Sequence, residues 1–160
     1  MQLKITDVSE LTGLELLQAL VDNKLPSPPM AETMGFALTA VSEGEAEFQC
    51  LITRRHLNPF GTVHGGVALA LLDSAAGCAL HTLLPAGVGY ASIETKVNYT
   101  APITVESGTV RAVGRVLSNG RTIGTAEAKL YGENDDLLAH GSSTLMILRN
   151  TKWAETKLIR

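Results

Sequence analysis

The sequence predicts an α+β fold in which a curved antiparallel sheet wraps around one long helix. The run from Gly65 to Leu84 is apolar on every side, so it must be covered on every side. Four strand-like runs joined mainly by hairpin turns follow it, which favours an antiparallel sheet over alternating βαβ units. A strand hairpin precedes the helix, so we expect six strands in all.

The N-terminal part of the chain predicts a helix and then a hairpin. Apolar residues recur at helical spacing behind Ser9, a good capping residue, and indicate an amphipathic helix over residues 9–23. The stretch "LPSPPMAET" then breaks this helix. Strand-compatible runs over 34–41 and 46–53 flank "SEGE", which predicts a hairpin.

The C-terminal half predicts four strands after Pro85 and two nearby glycines close the long helix. Two turn signals, "SNGR" at 118–121 and "GENDD" at 132–136, separate the later runs. The expected strands cover residues 90–100, 104–117, 121–131 and 137–148. One sheet cannot enclose the helix completely, so we expect a second copy of the chain to cover its remaining flank.

Size and charge limit the function classes. The chain has 160 residues, 45% of them hydrophobic, which suits one core and predicts a single domain over 1–160. The formal net charge is −3 and no block of Lys or Arg stands out, so nucleic acid is not expected as a partner.

The predicted location is the cytoplasm. The N-terminus shows no basic start followed by an apolar stretch, so we expect neither a signal peptide nor a transit peptide. Residues 65–84 are not expected to span a membrane, because Asp73 would place a charge near the centre of a lipid-facing helix.

Cysteine and histidine spacing predicts no metal site and no cofactor. Cys50 and Cys78 fall in predicted core elements without motif spacing, which indicates buried thiols in a reducing compartment. Together with His56, His64 and Asp73 they give no compact ligand spacing.

The sequence "HGG" at 64–66 opens the long helix. A helix N-terminus presents unpaired N–H groups and a partial positive charge, which suits an anion or a polarised carbonyl oxygen. Gly65 and Gly66 place nothing bulky before those N–H groups. The pair therefore predicts an oxyanion hole, although a tight loop-to-helix turn would use the same glycines.

Asp73 is the one carboxylate in "VALALLDSAAGCAL". Aspartate is a mediocre helix former and is rarely buried without a partner, so we interpret it as a reactive base or nucleophile. A hydrogen bond across an interface is the structural alternative. Asp73 follows Gly65 by eight residues, about 12 Å along the axis. One carbonyl cannot contact both, so we expect Asp73 to come from a second chain, with antiparallel helices about a twofold axis.

The segments "HLNPFGTVHGGVALALLD" and "YASIETKVNYTAPI" resemble the hotdog-fold acyl-CoA thioesterases of the phenylacetate-pathway (PaaI-like) type. The resemblance spans residues 30–148. The motif that carries it is Asn58-x-x-Gly61-x-x-His64-Gly65-Gly66, with Asp73 nine positions after the histidine. It implies a hotdog fold, hydrolysis of short- or medium-chain or aromatic acyl-CoA, and assembly into homodimers or homotetramers.

The resemblance also implies catalytic roles for five residues. The Gly65 N–H would polarise the thioester carbonyl, and Asp73 of the facing subunit would attack it or activate water. Asn58 would hold the water or the thioester, and His64 would lie beside the reacting group. Ser92 would help to position the water.

Basic and small residues are the candidates for binding coenzyme A. Gly66 would allow close approach of the substrate at the helix start, and Arg121 in the "SNGRT" hairpin resembles a position that meets the nucleotide end. An exposed Arg at a turn also serves solubility. Arg54, Arg55 and Lys96 are weaker candidates.

Two other functions fit part of the pattern. A hotdog dehydratase or hydratase would use His64 and Asp73 as an acid/base pair, but its pattern has prolines after the histidine where this chain has "HGGV". A non-catalytic acyl-CoA-binding protein would keep the pocket, but the helix at 9–23 is too short and acidic for the DNA-binding segment of a sensor. The chain lacks the G-x-S-x-G and G-x-G-x-x-G motifs of other hydrolases and dinucleotide enzymes.

Overall fold

A six-stranded antiparallel sheet wraps one long helix in the computed structural model, which describes residue 8 and residues 10–149. The strands are β1 (Phe36–Ser42), β2 (Glu45–Leu51), β3 (Gly89–Tyr99), β4 (Thr109–Asn119), β5 (Ile123–Tyr131) and β6 (Leu137–Leu148). Their order in the sheet is β1-β2-β4-β5-β6-β3, and every neighbouring pair is antiparallel. The predicted α+β fold class is confirmed.

The first helix, α1 (Gly13–Val21), is shorter than the predicted helix over 9–23. Thr12 caps it: the Thr12 hydroxyl accepts the Glu15 N–H, and the Glu15 carboxylate accepts the Thr12 N–H. This reciprocal capping box fixes the start of the helix at Thr12. The predicted cap, Ser9, lies outside the described residues.

A second helix, α2 (Pro29–Met34), forms within the segment that was predicted only to break the first one. Pro29 occupies the first helical position, where its fixed φ angle is preorganised and its missing N–H costs nothing. Gly35, with φ 72°, ends the helix in the left-handed conformation. β1 consequently begins at Phe36, two residues later than predicted.

The long helix α3 (Gly65–His81) packs against the inner face of the sheet. A Cβ at position 114 on β4 would collide with the Ala75 carbonyl, so Gly114 permits this close approach. α3 ends before the predicted Leu84, where the backbone hydrogen bonds tighten to a spacing of three residues: Leu83 N–H donates to the Leu80 carbonyl and Leu84 N–H to the His81 carbonyl. No helix in the described part of the chain is long and apolar enough to cross a membrane.

One flank of α3 is left open by the sheet. Leu69 is 38% exposed, and Ala70 and Asp73 on the same side are half-buried. β3 lies at the edge of the sheet and pairs with β6 on one side only, and its Ile93 is 53% exposed. The sheet therefore does not enclose α3 completely.

The remaining strand ends lie within a few residues of the prediction. The largest difference is at β4, which begins at Thr109 rather than residue 104. A single 3₁₀ turn over Val105–Ser107 precedes it, with the Thr104 N–H bonded to the Ser107 hydroxyl. This local side-chain bond competes with strand pairing and delays the start of the strand.

Candidate active site

The loop that leads into α3 is organised by Asn58. Its side-chain Nδ2 donates to Thr62 Oγ1 at 2.8 Å, and its Oδ1 accepts the Phe60 N–H at 2.9 Å. Gly61, with φ 82°, donates its N–H to the Asn58 carbonyl at 3.1 Å. Both ends of the Asn58 amide thus hold the turn together, as asparagine side chains commonly do.

His64 caps the N-terminus of α3. Its Nδ1 accepts the Gly66 N–H at 3.0 Å, and its carbonyl accepts the Val67 N–H at 2.9 Å. The Gly65 N–H donates to no group within the described residues. It is therefore free to meet a ligand at the positive end of the helix.

The start of α3 leaves little space for a side chain at Gly65 or Gly66. Tyr99 Oη donates to the Gly65 carbonyl at 3.0 Å, and a Cβ at position 65 would lie 2.9 Å from the same Oη. A Cβ at position 66 would lie 3.0 Å from His64 Nδ1. Larger residues here would press on the tyrosine or on the capping imidazole.

Asp73 lies two turns further along α3, on the open flank. Its Oδ1 accepts the hydroxyl of Ser92 at 2.9 Å and the hydroxyl of Thr95 at 2.6 Å. Its Oδ2 accepts no hydrogen bond from the residues that the structure describes. The carboxylate is half-buried rather than fully buried, because the sheet does not cover this side of the helix.

A β-bulge in β3 allows both hydroxyls to reach Asp73. β3 pairs with β6 through Ser92 and through Glu94, which leaves Ile93 without a partner. In a regular strand, residues three apart point to opposite faces. The extra residue at 93 returns Thr95 to the face that Ser92 uses. Thr95 was missed from the sequence because simple alternation from Ser92 places it on the other face.

An open pocket of about 420 Å³ lies between the open flank of α3 and β3. It brings together three of the predicted site residues: Gly66, Asp73 and Ser92. Gly65, His64 and Asn58 lie at the helix start and in the preceding loop, and they are not among the lining residues. The pocket is lined by Gly66, Leu69, Ala70, Asp73, Ser92, Ile93, Glu94 and Thr95.

Residues 60–139, half of the chain, match the sequence profile of the Thioesterase superfamily. The chain belongs to this family. It is a thioester hydrolase, and the predicted PaaI-like hotdog type is confirmed by the family match together with the structural neighbours.

Three relatives illustrate the likeness. A 1,4-dihydroxy-2-naphthoyl-CoA hydrolase of Listeria monocytogenes is 27% identical over 124 residues, which cover 77% of this chain and 98% of that protein. A phenylacetic acid degradation-related protein of Ralstonia eutropha superposes with a TM-score of 0.73 and 25% identity, covering 81% of this chain and 98% of that one. The PaaI protein of E. coli shares the fold, with a TM-score of 0.72, 18% identity and coverage of 81% and 91%.

None of the arginines predicted to bind coenzyme A lines this pocket. Arg121 is exposed in the turn between β4 and β5, and its carbonyl accepts the Arg149 Nε–H at 3.1 Å. Arg54 and Arg55 are exposed in the 3₁₀ turn before the Asn58 loop, and none of these arginines lines the pocket. The geometry of one chain thus does not bring Arg121 to Asp73.

Burial disfavours the thiolate form of both cysteines of the thioesterase. It raises the pKa of the Cys78 thiol to about 12, and it also raises the pKa of Cys50 above its usual range. Cys50 is buried and Cys78 is half-buried at the surface of α3. Within the described ranges, no three His, Cys, Asp or Glu side chains lie close enough together to hold a metal ion.

Proposed function

We propose that this thioesterase hydrolyses acyl-CoA substrates, with Asp73 as its reacting carboxylate. The observation that carries the proposal is the setting of Asp73, which lies in an open pocket with one oxygen held by two hydroxyls. A carboxylate fixed in this way can attack a carbonyl or activate water. The name of the Listeria relative, a hydrolase of a CoA thioester, supports coenzyme A as the thiol carrier.

The reaction needs a donor for the carbonyl oxygen as well as a carboxylate. The Gly65 N–H at the start of α3, which has no partner within the described residues, would donate a hydrogen bond to the thioester oxygen as negative charge develops there. Asp73 would either attack the carbonyl carbon or take a proton from water as the water attacks. If water attacks, the C–S bond breaks, the thiolate takes up the proton that Asp73 removed, and the free acid and coenzyme A leave. If Asp73 attacks, the C–S bond breaks to give an acyl-Asp73 anhydride, the thiolate takes up a proton and leaves as coenzyme A, and one water then cleaves the anhydride to release the free acid.

The active site would be shared between two copies of the chain. Gly65 and Asp73 are eight residues apart on α3, about 12 Å along its axis, so one carbonyl cannot touch both groups of one chain. The open flank of α3 and the unpaired edge of β3 lie side by side. A second copy packed antiparallel on this flank would cover Leu69 and Ile93 and bring its own Asp73 toward Gly65.

The other predicted site residues would act around this pair. Ser92, bonded to Asp73 Oδ1, would help to position the water. Asn58 and His64 would act from the loop and helix cap of the subunit that supplies Gly65. Gly66 would let the thioester approach closely, and Arg121 would meet the nucleotide phosphates of coenzyme A.

The acyl group would be short, of medium length or aromatic. The pocket walls beside Asp73 include the apolar side chains of Leu69, Ala70 and Ile93, which favour an apolar acyl group over a charged one. The volume of about 420 Å³ in one chain is within the usual range for small-ligand sites.

Release of coenzyme A measured with a thiol-trapping dye tests the proposal. A panel of acyl-CoA esters of increasing chain length and of aryl-CoA esters should contain substrates, and Asp73→Asn should lower kcat by about a hundredfold or more. Asp136→Asn, at an exposed carboxylate in the β5–β6 turn, is the matched control and should leave kcat unchanged. A dehydratase or a binding protein would release no thiol, and near-normal turnover by folded Asp73→Asn would remove this residue from the mechanism.

A further inference from the structure

We infer that Thr95 is the positioning residue of Asp73 and selects which carboxylate oxygen reacts. The inference rests on the proposed function of Asp73 and adds to it a second strand residue, Thr95, and a third behind it, Ser143. Thr95 donates to Asp73 Oδ1 at 2.6 Å, a shorter bond than the 2.9 Å bond from Ser92. Thr95 is also the less exposed of the two donors.

The direction of the hydrogen bonds follows from the chemistry of the groups. An ionised carboxylate only accepts, so the single proton of the Thr95 hydroxyl is committed to Asp73. Thr95 Oγ1 lies 3.0 Å from Ser143 Oγ and can therefore only accept from it. Ser143 shares its proton between Thr95 and the Glu94 carbonyl, which lies at 3.1 Å. The hydroxyls thus form a directed chain from Ser143 through Thr95 to Asp73.

Ser143 is a buried serine among residues without polar side chains. It is 1% exposed on the inner face of β6, where the adjacent residues on the same face are Gly141 and Leu145. A buried hydroxyl is tolerated when it is hydrogen-bonded, and donating to Thr95 polarises the Thr95 hydroxyl toward Asp73. The buried serine hydroxyl is therefore satisfied by Thr95 and by the Glu94 carbonyl, the two groups at the start of the segment that reaches Asp73.

The consequence for Asp73 is an asymmetric carboxylate. Both hydroxyls hold Oδ1, and Oδ2 accepts no hydrogen bond within the described residues. Threonine is restricted at χ1 because it is β-branched, so the position of its Oγ1 atom beside Asp73 is preset. Thr95 accordingly holds the carboxylate in one rotamer and leaves Oδ2 as the oxygen that attacks the carbonyl or receives the proton of water.

The β-bulge in β3 makes the contact between Thr95 and Asp73 possible. The bulge at Ile93 leaves that residue unpaired and 53% exposed at the edge of the sheet. Without the bulge, Ser92 and Thr95 could not both face α3. Bulges frequently re-aim a side chain beside an active site, and here the re-aimed side chain is Thr95.

Replacement of the hydroxyl by a methyl group tests the inference. Thr95→Val keeps the shape and should lower kcat about tenfold or more with KM changed less than about twofold. Thr95→Ser restores the hydroxyl and should recover most of that loss. Thr125→Val, the same change on the outer face of β5 away from Asp73, is the control and should leave kcat unchanged. In an Asp73→Asn background, Thr95→Val should cause no further loss, because it acts through that carboxylate.

Two kinetic results would overturn the assignment: an equal loss by Thr95→Ser, or a loss that persists undiminished in the Asp73→Asn background. Thermal melting separates this outcome from a failure of the proposed function. If the wild type hydrolysed no thioester, the proposed function would fall. Even then, the Thr95–Asp73 hydrogen bond predicts that Thr95→Val lowers Tm by about 3 °C more in the wild type than in an Asp73→Ala background. Equal losses of Tm in the two backgrounds would refute the role of Thr95.

Discussion

Complementation between two inactive variants tests whether one site combines Gly65 of one chain with Asp73 of another. The variants are Gly65→Pro, which removes the oxyanion donor, and Asp73→Asn, which removes the carboxylate. Proline is well accepted at the first position of a helix, and His64 has φ −62° and ψ 131°, the extended conformation that a residue before proline prefers. The Gly65 N–H has no partner within the described residues, so its loss breaks no hydrogen bond there.

The size of the expected recovery follows from the geometry of the helix. Loss of one oxyanion donor typically lowers kcat by about 10²–10³-fold, so each variant alone should be nearly inactive. With random pairing, half of the dimers are mixed, and one of the two sites in each mixed dimer has both Gly65 and Asp73. The mixture should therefore regain about a quarter of wild-type activity.

The assay compares refolded mixtures at equal total protein. The two variants are unfolded and refolded together, mixed dimers are counted by mass, and coenzyme A release is measured on the best substrate of the panel. Each variant refolded alone gives the baseline. Tyr99, which is 55% exposed beside Gly65, can turn outward to admit the proline ring, and circular dichroism checks that Gly65→Pro is folded.

Failure to recover activity would refute the shared site. If each chain held its own complete site, mixing would restore nothing, since every chain would still lack one group. Activity equal to that of the separate variants, with mixed dimers present by mass, would show that the separation of Gly65 and Asp73 along α3 is not bridged by a second copy.

Two further changes test the helix start and the packing of the long helix, and a third tests the half-buried His81. Gly65→Ala keeps the N–H and should retain at least about a tenth of wild-type kcat, well above Gly65→Pro, in the same assay. Gly114→Ala should cost about 1–3 kcal/mol in denaturant unfolding, because its Cβ would meet the Ala75 carbonyl. Burial lowers the pKa of His81 below 6.5, so the unfolded state binds more protons and stability falls as the pH drops through 6.5. His81→Phe should flatten the fall in Tm between pH 7.5 and 5.

The fold could be predicted because its signals are local and repeated. An all-apolar helix and hairpin turns at 118–121 and 132–136 are visible in the sequence. The helix forms from Gly65, the second turn lies between β5 and β6, and the first overlaps the turn at 120–122 between β4 and β5. The misplaced ends have side-chain causes. Thr12 rather than Ser9 carries the capping box of α1, and Thr104 holds a 3₁₀ turn ahead of β4. Both causes are contacts between residues three apart in the chain, and apolar periodicity does not contain them.

The candidate site was predictable only where residue type was unusual for its position. Asp73 and Gly65 were found because a carboxylate and a paired glycine are out of place in an apolar helix. Thr95 is an ordinary strand residue, and its role depends on a bulge that no turn signal marks. The engagement of the Asn58 amide within its own loop likewise depends on how residues 58–62 fold back on themselves.

The open flank of α3 allows Asp73 to lie in the long helix without being buried by its own sheet. Full enclosure of Asp73 by its own sheet would bury a carboxylate, at a cost of several kcal/mol if it were left unpaired. The residues that the structure describes instead leave this flank uncovered, with Leu69 partly exposed and Asp73 half-buried. In the folded chain, the hydroxyls of Ser92 and Thr95 hold one oxygen of the Asp73 carboxylate. Under the proposed assembly, a second copy would then shield the other oxygen from bulk water beside the Gly65 N–H, where the thioester and the attacking water would bind. The carboxylate would become more reactive at the moment the site is completed, and neither chain would have to bury it alone.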